Sequence, residues 1–130
     1  MKKVTIFRLL ILFITMILLS CGRWSDNIKL STKSAEFSAN GDSIIITTKG
    51  GGWWLTGITV DTNRFYHFDG IDVLADSYTV KQDCFVFERR DKYTLFIKLE
   101  PNNLNTKKIV IIELEAGDYF DRVTITQNPK

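Results

Sequence analysis

Two adjacent indoles, Trp53 and Trp54, follow three glycines, Gly50 to Gly52, and are the side chains of this chain best suited to holding a ligand. An indole face stacks well on the apolar face of a sugar ring. Neighbouring residues on a strand face opposite ways, so the two cannot share one core. Trp54 has the parity of Ile58 and Val60, which assigns it to core packing. Trp53 is expected on the surface, as a ligand contact or as a cover for the sheet edge. A second aromatic cluster, Phe65-Tyr66-His67-Phe68, sets two hydrogen-bonding side chains, Tyr66 and His67, between two loop anchors. The candidate ligand contacts are therefore Trp53, Tyr66 and His67.

Chemistry beyond binding has little to work with. His67 is the only histidine, so an imidazole-based zinc site lacks ligands. No Gly-x-Ser-x-Gly turn presents a nucleophile. Cys84 lies in an apolar strand pattern and reads as a small buried hydrophobe, not an activated thiol. Asp69, Asp72 and Asp76 do not follow the alternating oxygen ligands and invariant glycine of a calcium loop, and are read as solvated loop carboxylates. No catalytic residue, metal or cofactor is expected, and the chain is not expected to be an enzyme.

The elements that would position these groups are strands. Ala35 to Ser38 is a short first strand ended by Asn40-Gly41, a favoured two-residue turn. Ser43 to Lys49 carries the β-branched run Ile44-Ile45-Ile46, and Trp53 to Val60 follows the glycines. Asp61 to Asp83 is the least patterned stretch, with short extended pieces near Phe65 to Phe68 and Ser77 to Val80. Cys84 to Arg90 and Tyr93 to Glu100 form a hairpin around Asp91-Lys92. In its second arm Tyr93, Leu95, Ile97 and Leu99 share one face, the period of a half-buried antiparallel strand. Lys108 to Glu115 pairs with Phe120 to Gln127 across Ala116-Gly117-Asp118, burying Val110, Ile112 and Leu114 against Val123 and Ile125. No helical apolar period occurs beyond the N-terminal segment. About seven short strands in roughly 100 residues predict an all-β, immunoglobulin-like antiparallel sandwich, with a small closed barrel as the alternative.

The N-terminus has a different character. Lys2, Lys3 and Arg8 precede an uncharged apolar run from Leu9 to Leu19. That is a basic region followed by an apolar region, the layout of an export signal, and it is shorter than a membrane span. Leu18-Leu19-Ser20-Cys21 resembles the lipobox of bacterial lipoproteins. The resemblance implies cleavage before Cys21, a diacylglycerol on its sulfur and acylation of its amine. Two or more chains give stable anchoring where one is marginal. Residues 1–20 are then the signal peptide and 21–33 the lipidated cysteine and a polar tether, with Trp24 placed to rest among headgroups. Residues 34–130 are the domain. With Cys21 modified, Cys84 has no disulfide partner. Losing Lys2, Lys3 and Arg8 from 17 basic residues leaves 14 against 15 acidic ones, so there is no electrostatic case for nucleic acid.

Within the domain, Glu36-Phe37-Ser38 before Asn40-Gly41, then Ile44 to Thr48, then Gly52-Trp53-Trp54-Leu55 resemble the start of a BACON domain. Asp121 to Gln127 resembles its closing strand, and Asn102 to Asn105 falls where that family has an asparagine before a basic residue. Lys107-Lys108 departs from the usual arginine, and Asp61 to Asp83 has no counterpart. The resemblance implies an immunoglobulin-like sandwich and a carbohydrate-binding or spacer role in the envelope of gut Bacteroidetes. The chain is thus expected to be a monomeric envelope lipoprotein, anchored in the outer membrane. Its domain is expected to bind glycan or an envelope protein, or else to act as a structural accessory.

Overall fold

A computed structural model describes residues 26–130. The expected signal segment, the lipidation site Cys21 and Trp24 lie outside the described residues. Nine strands follow: β1 (Ser34–Phe37), β2 (Asp42–Thr47), β3 (Trp54–Val60), β4 (Asn63–Phe65), β5 (Tyr78–Gln82), β6 (Phe85–Asp91), β7 (Thr94–Leu99), β8 (Lys108–Ala116) and β9 (Tyr119–Gln127). They form a five-stranded sheet, β1-β9-β8-β3-β4, and a four-stranded sheet, β2-β7-β6-β5. The orders β2-β7-β6 and β9-β8-β3 are the B-E-D and G-F-C arrangements of the immunoglobulin-like sandwich. The two strands beyond the expected seven are β4 and β5, both drawn from the weakly patterned middle.

Period-two alternation builds the core. Leu95, Ile97 and Leu99 of β7, Val110, Ile112 and Leu114 of β8, and Val123 and Ile125 of β9 are all buried. Ile112 faces Val123 in the β8–β9 ladder, the register that the apolar pattern predicts. Ile109, one position out of phase, is 44% exposed.

Three expectations change. The sandwich is not wholly antiparallel: β1 pairs with β9 in parallel, from Ser34↔Thr124 to Phe37↔Gln127. Asn40-Gly41 is therefore a corner between sheets, since β2 pairs with β7 in the opposite layer. Gly41 has φ +89°, and a Cβ there would sit 2.7 Å from the Leu99 carbonyl oxygen, so both backbone and space require glycine. Cys84 is half-buried in the tight turn between β5 and β6, not within a strand. Finally, residues 26–33 are part of the folded domain, not a tether. Ile28 is fully buried in the core, and its carbonyl accepts from the amides of Lys49 (3.1 Å) and Gly50 (3.2 Å). Ser31 exchanges two bonds with Thr47, and Asp26 accepts from the Ile28 and Lys29 amides. A Cβ on Gly50 would overlap the Asn27 carbonyl at 1.8 Å. Only a residue without a side chain lets this strap lie down.

The closing segment fastens the far end of the sandwich. Gln127, fully buried, donates to the carbonyls of Ser38 (3.2 Å) and Glu100 (2.9 Å). Asn102, 1% exposed, donates to Thr106 and Asn128 and accepts from the Leu104 amide. Both side chains substitute for backbone partners that an irregular loop cannot supply itself.

Candidate functional site

The opposite end of the sandwich gathers three segments: Gly51-Gly52 before β3, the β6–β7 turn with Lys92 and Tyr93, and Leu74 to Asp76 of the long β4–β5 connection. Between them lies an open groove of about 540 Å³, walled by Trp54, Leu74, Tyr93 and Arg89. Leu74 is 68% and Tyr93 51% exposed, and Trp54 is half-buried. Asp76 and Lys92 face each other across the rim at 3.8 Å.

The two indoles have the reverse of the expected roles. Trp53 is 1% exposed, which rejects it as a surface ligand contact, and Trp54 is the one at the groove. The reason is a β-bulge in β3. Leu55 pairs with Leu114 and Gly57 with Glu113, leaving Thr56 as an extra residue, whose hydroxyl donates to the Glu113 carbonyl (3.1 Å). One inserted residue reverses the facing of everything before it. Trp53 and Leu55 therefore point inward with Ile58 and Val60, although simple counting puts Trp53 on the other face.

Trp53 is held as tightly as any core residue. Its Nε1–H donates to the Thr48 hydroxyl (3.1 Å), which in turn donates to the Gly50 carbonyl (2.8 Å). The Arg89 guanidinium lies over its ring, 4.2 Å from the centroid. Arg89 follows Phe85 and Phe87 on the core-facing side of β6 and is only 3% exposed. It donates to the carbonyls of Ala75 (3.1 Å) and Gly51 (2.7 Å), binding two walls of the groove together. Its Nε has no acceptor. A charge this buried normally has a carboxylate partner; Arg89 instead has carbonyl dipoles and an aromatic face. Sequence reasoning missed this residue. The available signal was parity, which puts a cation at a core position two residues after Phe87.

Tyr78 closes the interior behind the groove. Burial raises its phenol above the ordinary range, and its oxygen accepts from the Leu55 amide (3.3 Å). Tyr66 and His67 do not join the groove. Tyr66 is 58% exposed and its ring tilts over His67 with centroids 4.4 Å apart. Phe65 and Phe68 pack against the core, as loop anchors should. Among the described residues, no group of three or more His, Cys, Asp or Glu side chains is placed to hold a metal ion.

On the outer face of the five-stranded sheet, Arg64 and Glu113 form an ion pair at 2.7 Å across Gly57. Both are well exposed, so the pair adds little stability.

No protein-family model matches the chain, and no curated protein does. Among solved structures it is similar to a Bacteroides thetaiotaomicron protein determined by NMR. That likeness has a TM-score of 0.66 at 16% identity and covers 85% of this chain and 93% of the other. A second similarity is to a chain of the CsuC–CsuE chaperone–tip adhesion subunit pre-assembly complex, from archaic chaperone-usher Csu pili of Acinetobacter baumannii. It has a TM-score of 0.40 at 8% identity, over 79% of this chain and 57% of that one. At such identities what the chain shares with the first of these proteins is its β-sandwich fold.

Proposed function

We propose that this chain is a lipid-anchored, non-catalytic module of the bacterial cell envelope that binds carbohydrate in the groove beside Trp54. The observation that carries the reading is the convergence of Trp54, Tyr93 and Leu74 on one open groove whose floor is fixed by the Trp53–Arg89 stack. Sugar rings present an apolar face to an aromatic side chain and hydroxyls to its polar neighbours. Asp76 and Lys92 supply an acceptor and a donor at the rim. The BACON-domain resemblance supports the same ligand class, and the Leu-Leu-Ser-Cys motif supports the anchor. Binding at such a shallow, rigid site is expected to be weak.

A glycan array followed by calorimetry on the best ligand tests the reading. Trp54→Ala should lose at least tenfold in affinity while the unfolding midpoint moves little. Full binding by that variant would remove the groove from consideration. An array without hits, together with co-purification of an envelope protein, would favour a structural accessory instead.

A further inference from the structure

The folded domain begins beside the groove. The Asn27 carbonyl abuts Gly50, and the next residue, Gly51, lines the groove. Lys33 links Asp26 (4.0 Å) to Asp121 (2.8 Å), which is close to the β8–β9 turn. Trp54 pairs with Glu115 next to that same turn. The chain therefore enters the sandwich at its loop end. Four residues, 22–25, separate Cys21 from Asp26, and covalent geometry limits that span to about 18 Å. The nine-residue strands β8 and β9 make the sandwich roughly 30 Å long. Whatever holds Cys21 has the groove end of the molecule as its near neighbour.

We infer that the loop end rests on the bilayer surface, with Leu74, Tyr93 and Trp54 at headgroup level and the groove open toward the polar layer of the membrane. The inference rests on the lipid-anchored reading of Cys21, and it narrows the ligand to one displayed at that surface. Leu74, at 68%, is the most exposed large apolar side chain among the described residues, and Tyr93 beside it is 51% exposed. Aromatic rings with polar tips partition to the interface between headgroups and acyl chains. Lys92 is paired with Asp76 at 3.8 Å, so at the rim it is the apolar side chains that are free to make the contact. The short tether holds these side chains at an effective concentration on the order of millimolar or above. A contact too weak to recruit a free protein is then sufficient to orient an anchored one.

The test uses the full chain with its lipid, in phosphatidylcholine vesicles. With Cys21 acylated and Cys84→Ser, a cysteine introduced as Leu74→Cys or Asn103→Cys is the only free thiol. Each takes an environment-sensitive dye, at the groove end or the far end. The dye at residue 74 should shift to shorter wavelength and be quenched several-fold more by a spin-labelled lipid than the dye at residue 103. Equal quenching at both positions in a chain that stays with the vesicles overturns the orientation and leaves the anchor standing. Loss of the chain from the vesicles, with an unmodified Cys21 by mass, overturns both. Protection of residue 74 only after an envelope protein is added assigns the surface to that protein and overturns the membrane contact.

Discussion

Arg89 and Trp53 illustrate how a single, almost wholly buried pair can set the shape of the surface above it. The guanidinium is a charged group in the interior, so its burial must be offset by the indole face and two carbonyls. Removing the ring leaves that cation over a cavity. Trp53→Ala should therefore destabilise the domain by about 3–5 kcal/mol, the usual cost of a large aromatic truncation. Thr48→Val, which orphans the indole N–H and takes a donor from the Gly50 carbonyl, should cost about 1–3 kcal/mol. Urea unfolding with an unchanged slope would report both as shifts of midpoint. A Trp53→Ala domain as stable as the parent would show that the stack contributes nothing. Of the candidate side chains, the sequence identified the neighbourhood but inverted the pair. Parity counting assumes an unbroken ladder; the available signal was Gly57, since a lone glycine inside a strand often marks a bulge.

Among the elements, those with strict alternation were legible to within a residue or two, β7 through β9 most clearly, because each has one wet and one dry face. The strap from Asp26 to Lys33 was not. It buries Ile28 and packs Leu30 against the core within a run otherwise of Ser, Asp, Asn, Lys and Thr, and an alternation of two apolar residues is too short to reveal it. Its fixation is partly electrostatic. Burial works against the Asp26 carboxylate, but the amides of Lys29 and Ile28 and the charge of Lys33 outweigh it and hold its pKa below the ordinary 3.8. A carboxyl depressed in the folded state contributes stability above its unfolded pKa, and that contribution disappears as pH falls through the folded value. Stability should thus decline as pH drops from about 5 toward and below the folded pKa. Asp26→Asn keeps an acceptor for the amides but has no charge to lose. It should be less stable than the parent at pH 7 and show a flatter acid profile in thermal melts. Asp91, similarly lowered by the Tyr93 amide, keeps some acid sensitivity in that variant. An Asp26→Asn profile identical to the parent's would remove the strap from this account.

At the scale of the whole molecule, both sheets share one core, and Cys84 is a free thiol. Among the described residues no covalent cross-link compensates for a damaged core. Ile112→Ala, at the centre of β8, should cost about 2–5 kcal/mol, a large part of what a domain of this size possesses. Calorimetry should still show one cooperative transition at a lower midpoint. Two resolved transitions would mean that the sheets unfold separately.

The parallel pairing of β1 with β9 also governs time. Ser34 finds its partner in Thr124, ninety residues later, so the first strand has nowhere to go until β9 exists. Contacts so distant in sequence are slow to form, and a chain interrupted before β9 leaves β1 as an unpaired strand rather than a smaller working domain. A fold that cannot close early keeps its strands open to water until a single late step joins β1 to β9 in the five-stranded sheet.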